Sequence, residues 1–285
     1  MRAGAASALR PSERLTVLVL TILLALTLLA RPDGWLLRAF TFAGLLVLSL
    51  GLGRARRQAV HLLRDFVPVL VVLLVFLLLQ PLVVAVNDHR WDATLAALDQ
   101  RWFGSLAVAW RGAFGRPAAF TDLVYLAYAS FYFLPLSVGV LARVRLGPAR
   151  FERVAFAILL GFYLSFLGYF LWPAEGPRVP EALAPVQLGG GAISQAVRAF
   201  LRGAEATTLD AFPSGHTALS VLPALLATRC FPRLAALFWV WAGAIVFATV
   251  YIGVHYLTDV AAGLVLAGLT LALAPLLSRG LSAPE

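Results

Sequence analysis

Lysine is absent from this chain, cysteine occurs once, and charge of either sign is scarce. Each shortage removes a class of protein. With Cys230 alone, no internal disulfide and no thiolate-based metal cluster can form. Charged residues fill 13% of 285 positions, about half the share of an ordinary soluble domain. Hydrophobic residues fill 61%, and the mean hydropathy is +0.87. A water-soluble globule cannot hide that much apolar surface, and a disordered chain needs low hydrophobicity. All 23 basic residues are arginine, and with 14 acids they leave a net charge of +9. Nucleic-acid binding would gather the arginines on one face. They are scattered between apolar runs, the pattern of a multi-span membrane protein, so no nucleic-acid partner is expected. The missing lysine also suggests a GC-rich coding genome and a bacterial source. No small-residue cleavage site follows the first apolar run, so no cleavable signal peptide is expected.

A helix needs roughly 20 mainly apolar residues to cross the hydrocarbon core. Eight stretches qualify: 15–31, 35–53, 66–86, 118–142, 152–172, 212–228, 234–252 and 257–277. The expected fold is therefore all-α, a polytopic membrane bundle of about eight transmembrane helices. Arginine placement orients it. With the N-terminus inside, the cytoplasmic segments hold 14 arginines and four acids, and the other side holds nine arginines and ten acids. The positive-inside rule then puts both termini in the cytoplasm, and the loops at 87–117 and 173–211 outside a bacterial inner membrane. Within those loops, Trp91, Leu95, Leu98 and Trp102 recur at helical spacing, as do Ile193, Val197, Phe200 and Leu201. Both runs read either as helices lying in the interface or as connecting helices packed on the bundle. Gly189, Gly190 and Gly191 read as a hinge, since no strand precedes them as a phosphate loop requires.

Ionisable groups near membrane depth are expensive and mark function by default. Three clusters fall on the outer side. Pro173, Gly176 and Pro177 stop the fifth span and hold Arg178 on a stiff segment, where a planar guanidinium suits two-point phosphate binding. Phe212-Pro213-Ser214-Gly215-His216 opens the sixth span. Its helix N-terminus is a ready anion site, Gly215 permits close approach of a ligand, and His216 can carry a proton. His255 and Asp259 lie four apart on one helix face where the seventh span gives way to the eighth. A carboxylate on one ring nitrogen leaves the other free as nucleophile or base. The alternatives are a headgroup-binding arginine, a cap with a structural histidine, and a buried pair that ties helices together. No paired carboxylates and no His-Glu-x-x-His pattern occur, and no metal or cofactor is expected. His61 and His89 are set aside as solvated or peripheral.

Two histidines, a carboxylate, an arginine and a helix N-terminus suit phosphoryl transfer through a phosphohistidine. One histidine attacks phosphorus and the other protonates the leaving oxygen, so activity should be bell-shaped in pH. A site at the interface suits an amphiphile whose phosphate lies at headgroup depth.

Pro-Ser-Gly-His at 213–216 and Val-His-Tyr-x-x-Asp-Val at 254–260 resemble the type 2 phosphatidic acid phosphatase superfamily, and within it the branch of the inositol phosphorylceramide synthases. The resemblance covers roughly residues 66–277. It implies a six-helix core in a catalytic domain at 61–280, preceded by a two-helix segment at 1–60. It implies a metal-independent mechanism with His255 as nucleophile, Asp259 as its partner and His216 as general acid. Ser214, Gly215 and Arg178 would bind phosphate, and the partner would be a membrane lipid phosphate. The chain departs from the common pattern at Leu171 and Val179, where a lysine and a proline are usual. It departs again at Ala248 and Thr249, where Ser-Arg is usual. Two phosphate-binding cations are thus missing, and Arg198, Arg202 or an arginine of 101–116 is the expected replacement. Three functions are open: a phosphatase, slightly favoured by Gly215; a phosphotransferase onto a lipid or glycan alcohol; and a non-catalytic lipid transporter.

Overall fold

The computed structural model describes residues 9–54, 60–114, 117–177, 188–204 and 208–281. These residues are helical, with no strand among them. A chain in hydrocarbon must satisfy its backbone polar groups internally, and apolar helices do so. In order they are α1 (Pro11–Ala30), α2 (Trp35–Arg54), α3 (Val60–Val86), α4 (Asp92–Phe103), α5 (Leu106–Phe114), α6 (Ala118–Ala129), α7 (Phe133–Arg145), α8 (Pro148–Leu171), α9 (Ala192–Ala204), α10 (Gly215–Cys230), α11 (Ala235–Ile252) and α12 (Leu257–Gly280). The short amphipathic runs that start at Trp91 and Ile193 fall on α4 and α9.

Among the described residues, seven helical stretches are long and apolar enough to cross a membrane, one of them α6 and α7 joined end to end. The expected count is eight. The difference is the sixth stretch: α10 has 16 residues, or about 24 Å at 1.5 Å per residue, short of the ~30 Å hydrocarbon core. Its first residues, Phe212 to Ser214, form a capping turn instead of helix, and Pro232 follows its end. Packing against α7, α8, α11 and α12 encloses it, and most of its residues are buried. It is the central post of the bundle.

The α6–α7 span is broken by a 3₁₀ turn at Ser130–Tyr132. Pro135 causes the break: it has no N–H for the carbonyl of Phe131, and its ring crowds that carbonyl. The turn brings Tyr128 and Phe131 inward against α10. Beside this core, α1 packs on α2, α3 and α8, and α2 packs on α3.

Candidate active site

At one end of the bundle α8 and α11 finish while α10 and α12 begin. Ser214 caps α10, its Oγ accepting the N–H of Thr217 at 3.2 Å. The Ser214 N–H donates to the carbonyl of Asp259 at 3.1 Å, which fastens the start of α10 to the first turn of α12. Gly215 faces Tyr169: a β-carbon there would run into the phenol oxygen, so the close approach requires glycine. His216 therefore sits in a first turn whose N–H groups have no intrahelical acceptors.

Gly253 ends α11 with a left-handed φ of 81°, a conformation that favours glycine. Arg111 of α5 lies against it, and any β-carbon would strike the guanidinium. Arg111 donates from Nε to the carbonyl of Tyr251 at 2.8 Å and from Nη2 to that of Val250 at 3.4 Å. Burial lowers its pKa from the usual arginine value. Its position as a buried cation against the last carbonyls of α11 follows the helix dipole. The chain then turns, with the N–H groups of Val254 and His255 both donating to the Thr249 carbonyl, and His255 points into the bundle.

The two imidazoles meet there. Nδ1 of His216 is 3.2 Å from Nε2 of His255. On its other side, Nδ1 of His255 is 3.5 Å from Oδ2 of Asp259, which also accepts the Tyr256 N–H at 2.8 Å. His255 is 4% exposed and Asp259 fully buried. The donor and acceptor roles depend on the tautomers, and these contacts fit one choice. A proton on Nδ1 of His255 faces the carboxylate, its Nε2 carries a lone pair, and a proton on Nδ1 of His216 points at that lone pair. The His216 ring stacks on Tyr128 at 4.8 Å and tilts against Phe131 at 4.4 Å.

Of the residues marked in the sequence, His216, His255 and Asp259 are thus brought together, with Ser214 and Gly215 one turn away. Arg178 lies outside the described residues. The segment leading to it is pinned: Asp92 Oδ1 accepts the N–H groups of Glu175 and Gly176, each at 2.9 Å. Of the replacement cations, Arg111 holds the α11 end as described. Arg198 lies over the ring of Tyr125 at 4.8 Å, and the Arg202 side chain lies outside the described residues.

Sequence reading missed three contributors. Asp210 is buried and lines the same cavity as Tyr169, Gly215 and His216; an acid just ahead of the Phe-Pro-Ser turn was its signal. Tyr128 and Phe131 left no signal, because aromatics are common in any span. The third is the polar face of α4, legible in the sequence only as the outer side of an amphipathic helix. Asp99, seven residues from Asp92, accepts from Thr258 N–H at 2.9 Å and from its hydroxyl at 3.1 Å. One helix face thus grips both the Arg178 approach and the start of α12. Asp99→Ala removes an acceptor of the capping kind, worth about 1 kcal/mol. We expect kcat on a phosphoester to fall about fivefold, and Asp99→Asn, which keeps an acceptor, to retain most activity. Equal losses in the two variants would show that Asp99 acts through its charge.

A membrane-embedded helical bundle that buries a carboxylate beneath two touching imidazoles, beside a helix N-terminus, has the parts of a phosphoryl-transfer protein. The chain belongs to the PAP2 superfamily, whose family profile matches residues 93–273. Membership points to phosphatase-type phosphoester chemistry. No curated protein and no solved structure matches the chain.

Proposed function

We propose that this protein is a metal-independent membrane phosphatase that hydrolyses a lipid phosphate monoester through a phosphohistidine at His255. The observation that carries the reading is the 3.2 Å approach of Nδ1 of His216 to Nε2 of His255, with Asp259 behind the second ring. The Nε2 lone pair attacks phosphorus, the P–O ester bond breaks, and the leaving oxygen takes the proton from Nδ1 of His216. Water then attacks, giving its proton to His216. The N–P bond breaks, and inorganic phosphate leaves with His255 neutral again. In the first turn of α10 the backbone N–H groups of Gly215 and His216, together with Arg178, stabilise the equatorial oxygens. The two nitrogens touch now, so a bound phosphate separates the rings.

The site lies at the end of the bundle opposite the arginine-rich ends of α1, α3, α7 and α12. By the positive-inside rule that end is extracytoplasmic. Purified protein incubated with a lipid phosphate labelled at phosphorus should release inorganic phosphate and trap an acid-labile covalent label, both insensitive to EDTA. Neither release nor label would overturn the reading. Sensitivity to EDTA would overturn metal independence alone. Label passing to an added inositol-type or lipid alcohol instead of water would make the protein a phosphotransferase, as in the inositol phosphorylceramide synthase branch.

A further inference from the structure

The cavity lined by His216 does not stop at that ring. It continues as one apolar groove between α3, α7 and α8, with a volume of about 270 Å³, from Gly215 and Tyr169 down to Arg64 and Glu13 at the opposite end. Along α8 it extends from Tyr169 to Glu152, about 25 Å at 1.5 Å per residue. Its middle is walled by Phe76, Phe162, Phe166, Leu136 and Gly139. Val69 and Leu73 of α3 and Phe133 of α7 line it and are also exposed on the outside of the bundle. The groove therefore opens sideways toward lipid between α3 and α7.

Its far end is closed by charge. Asp65 is held between Arg10 and Arg143, Arg64 pairs with Glu13, and Glu152 accepts the Ser12 N–H at 2.8 Å. Three of these residues, Arg10, Ser12 and Glu13, come from α1 and the residue before it, outside the matched region of the family. Hydrocarbon cannot displace paired ions from such a cluster without leaving charges unpaired.

We propose that this groove holds one hydrocarbon tail of the phosphoester substrate, with the ionic cluster as the floor that limits tail length. The inference rests on the phosphatase reading above and adds the depth of the tail site. Continuity carries it: one cavity has Gly215 and His216, whose ring touches His255, at one end and apolar walls for most of a membrane's thickness. Gly139 gives it a handle. A β-carbon there meets nothing within 4 Å, so a larger side chain would grow into the groove. Gly139 lies eight residues beyond Phe131, about 12 Å below the imidazoles.

The test compares kcat/KM on hexyl and hexadecyl phosphate, using the full chain in detergent. Gly139→Trp should lower the hexadecyl-to-hexyl ratio about tenfold or more, the scale on which a pocket discriminates hydrocarbon length. Gly139→Leu should lower it less. Gly243→Trp is the matched control: Gly243 sits on the outer face of α11, where a β-carbon also meets nothing within 4 Å, and the ratio should hold. An unchanged ratio in both Gly139 variants, each still turning over hexyl phosphate, would overturn the groove and leave the phosphatase standing. Wild-type protein that cleaves neither ester would overturn both.

Discussion

His255→Ala is expected to abolish phosphate release and covalent labelling together, with a fall in kcat of about 10⁴-fold or more. The residue has no substitute in its neighbourhood. Nε2 of His255 faces the only other imidazole of the site, and its Nδ1 faces the carboxylate of Asp259. His216 cannot take over the attack, because its ring is held between Tyr128 and Phe131, away from the Asp259 carboxylate. The two histidines are separable by leaving group. With an alkyl phosphate, His216→Ala should cost about 10²–10⁴-fold, the worth of a positioned acid–base group. With p-nitrophenyl phosphate, whose leaving oxygen needs no proton, the first step should survive in His216→Ala and the phosphohistidine should accumulate. Label that persists in His255→Ala, or that fails to accumulate in His216→Ala, would reverse the roles. The wild-type pH profile should be bell-shaped, because one group must start deprotonated and another protonated. The Tyr256 phenol does not contribute, since burial, helped by the charges of Asp92, Asp259 and Asp99, pushes it up to about 12.

The residues legible in the sequence were those whose chemistry follows from local spacing. His255 and Asp259 share a face because four residues make about one helical turn. Ser214 caps because a serine stands just ahead of a helix start. Spans were legible because hydrocarbon demands unbroken apolar length, and seven of them hold. The sixth is the short one, yet it carries the chain from the site end of the bundle to the start of α11. It runs inside a sheath formed by α7, α8, α11 and α12, so its sequence need not be as long or as apolar as a lipid-facing span. What the sequence could not display are contacts made between distant segments. Arg111 holding the carbonyls of Tyr251 and Val250 joins residues about 140 apart, and Asp99 holding Thr258 joins residues 159 apart. Neither pair has a spacing rule. The missing arginine of the third motif illustrates the difference. At its position Thr249 is buried, its hydroxyl turned back to the Val246 carbonyl and its own carbonyl receiving His255 N–H. The sequence announced an absent cation there, and the fold uses the place to aim the histidine.

Asp259→Asn should lower kcat by about 10²–10⁴-fold with little change in KM, as losing the acid partner of a catalytic imidazole does elsewhere. The geometry makes this a test of charge alone. Both contacts of the carboxylate, the Tyr256 N–H and the Nδ1 of His255, fall on Oδ2. An asparagine can place its carbonyl oxygen there and keep both. Its amide then occupies the position of Oδ1, which has no hydrogen-bond partner among the described residues. Shape and the α12 cap therefore survive, while the negative charge beneath the ring is gone. That charge costs desolvation in the folded state and is repaid only when His255 carries positive charge, as it does on forming the N–P bond. Thermal stability in detergent should consequently stay level or rise as kcat falls, a combination that a merely structural role cannot give. Asp259→Ala, by contrast, strips the acceptor from the Tyr256 N–H and should lose both stability and turnover. An Asp259→Asn enzyme whose kcat stays within about threefold of wild type would show that the carboxylate anchors α12 and that His255 attacks without its charge.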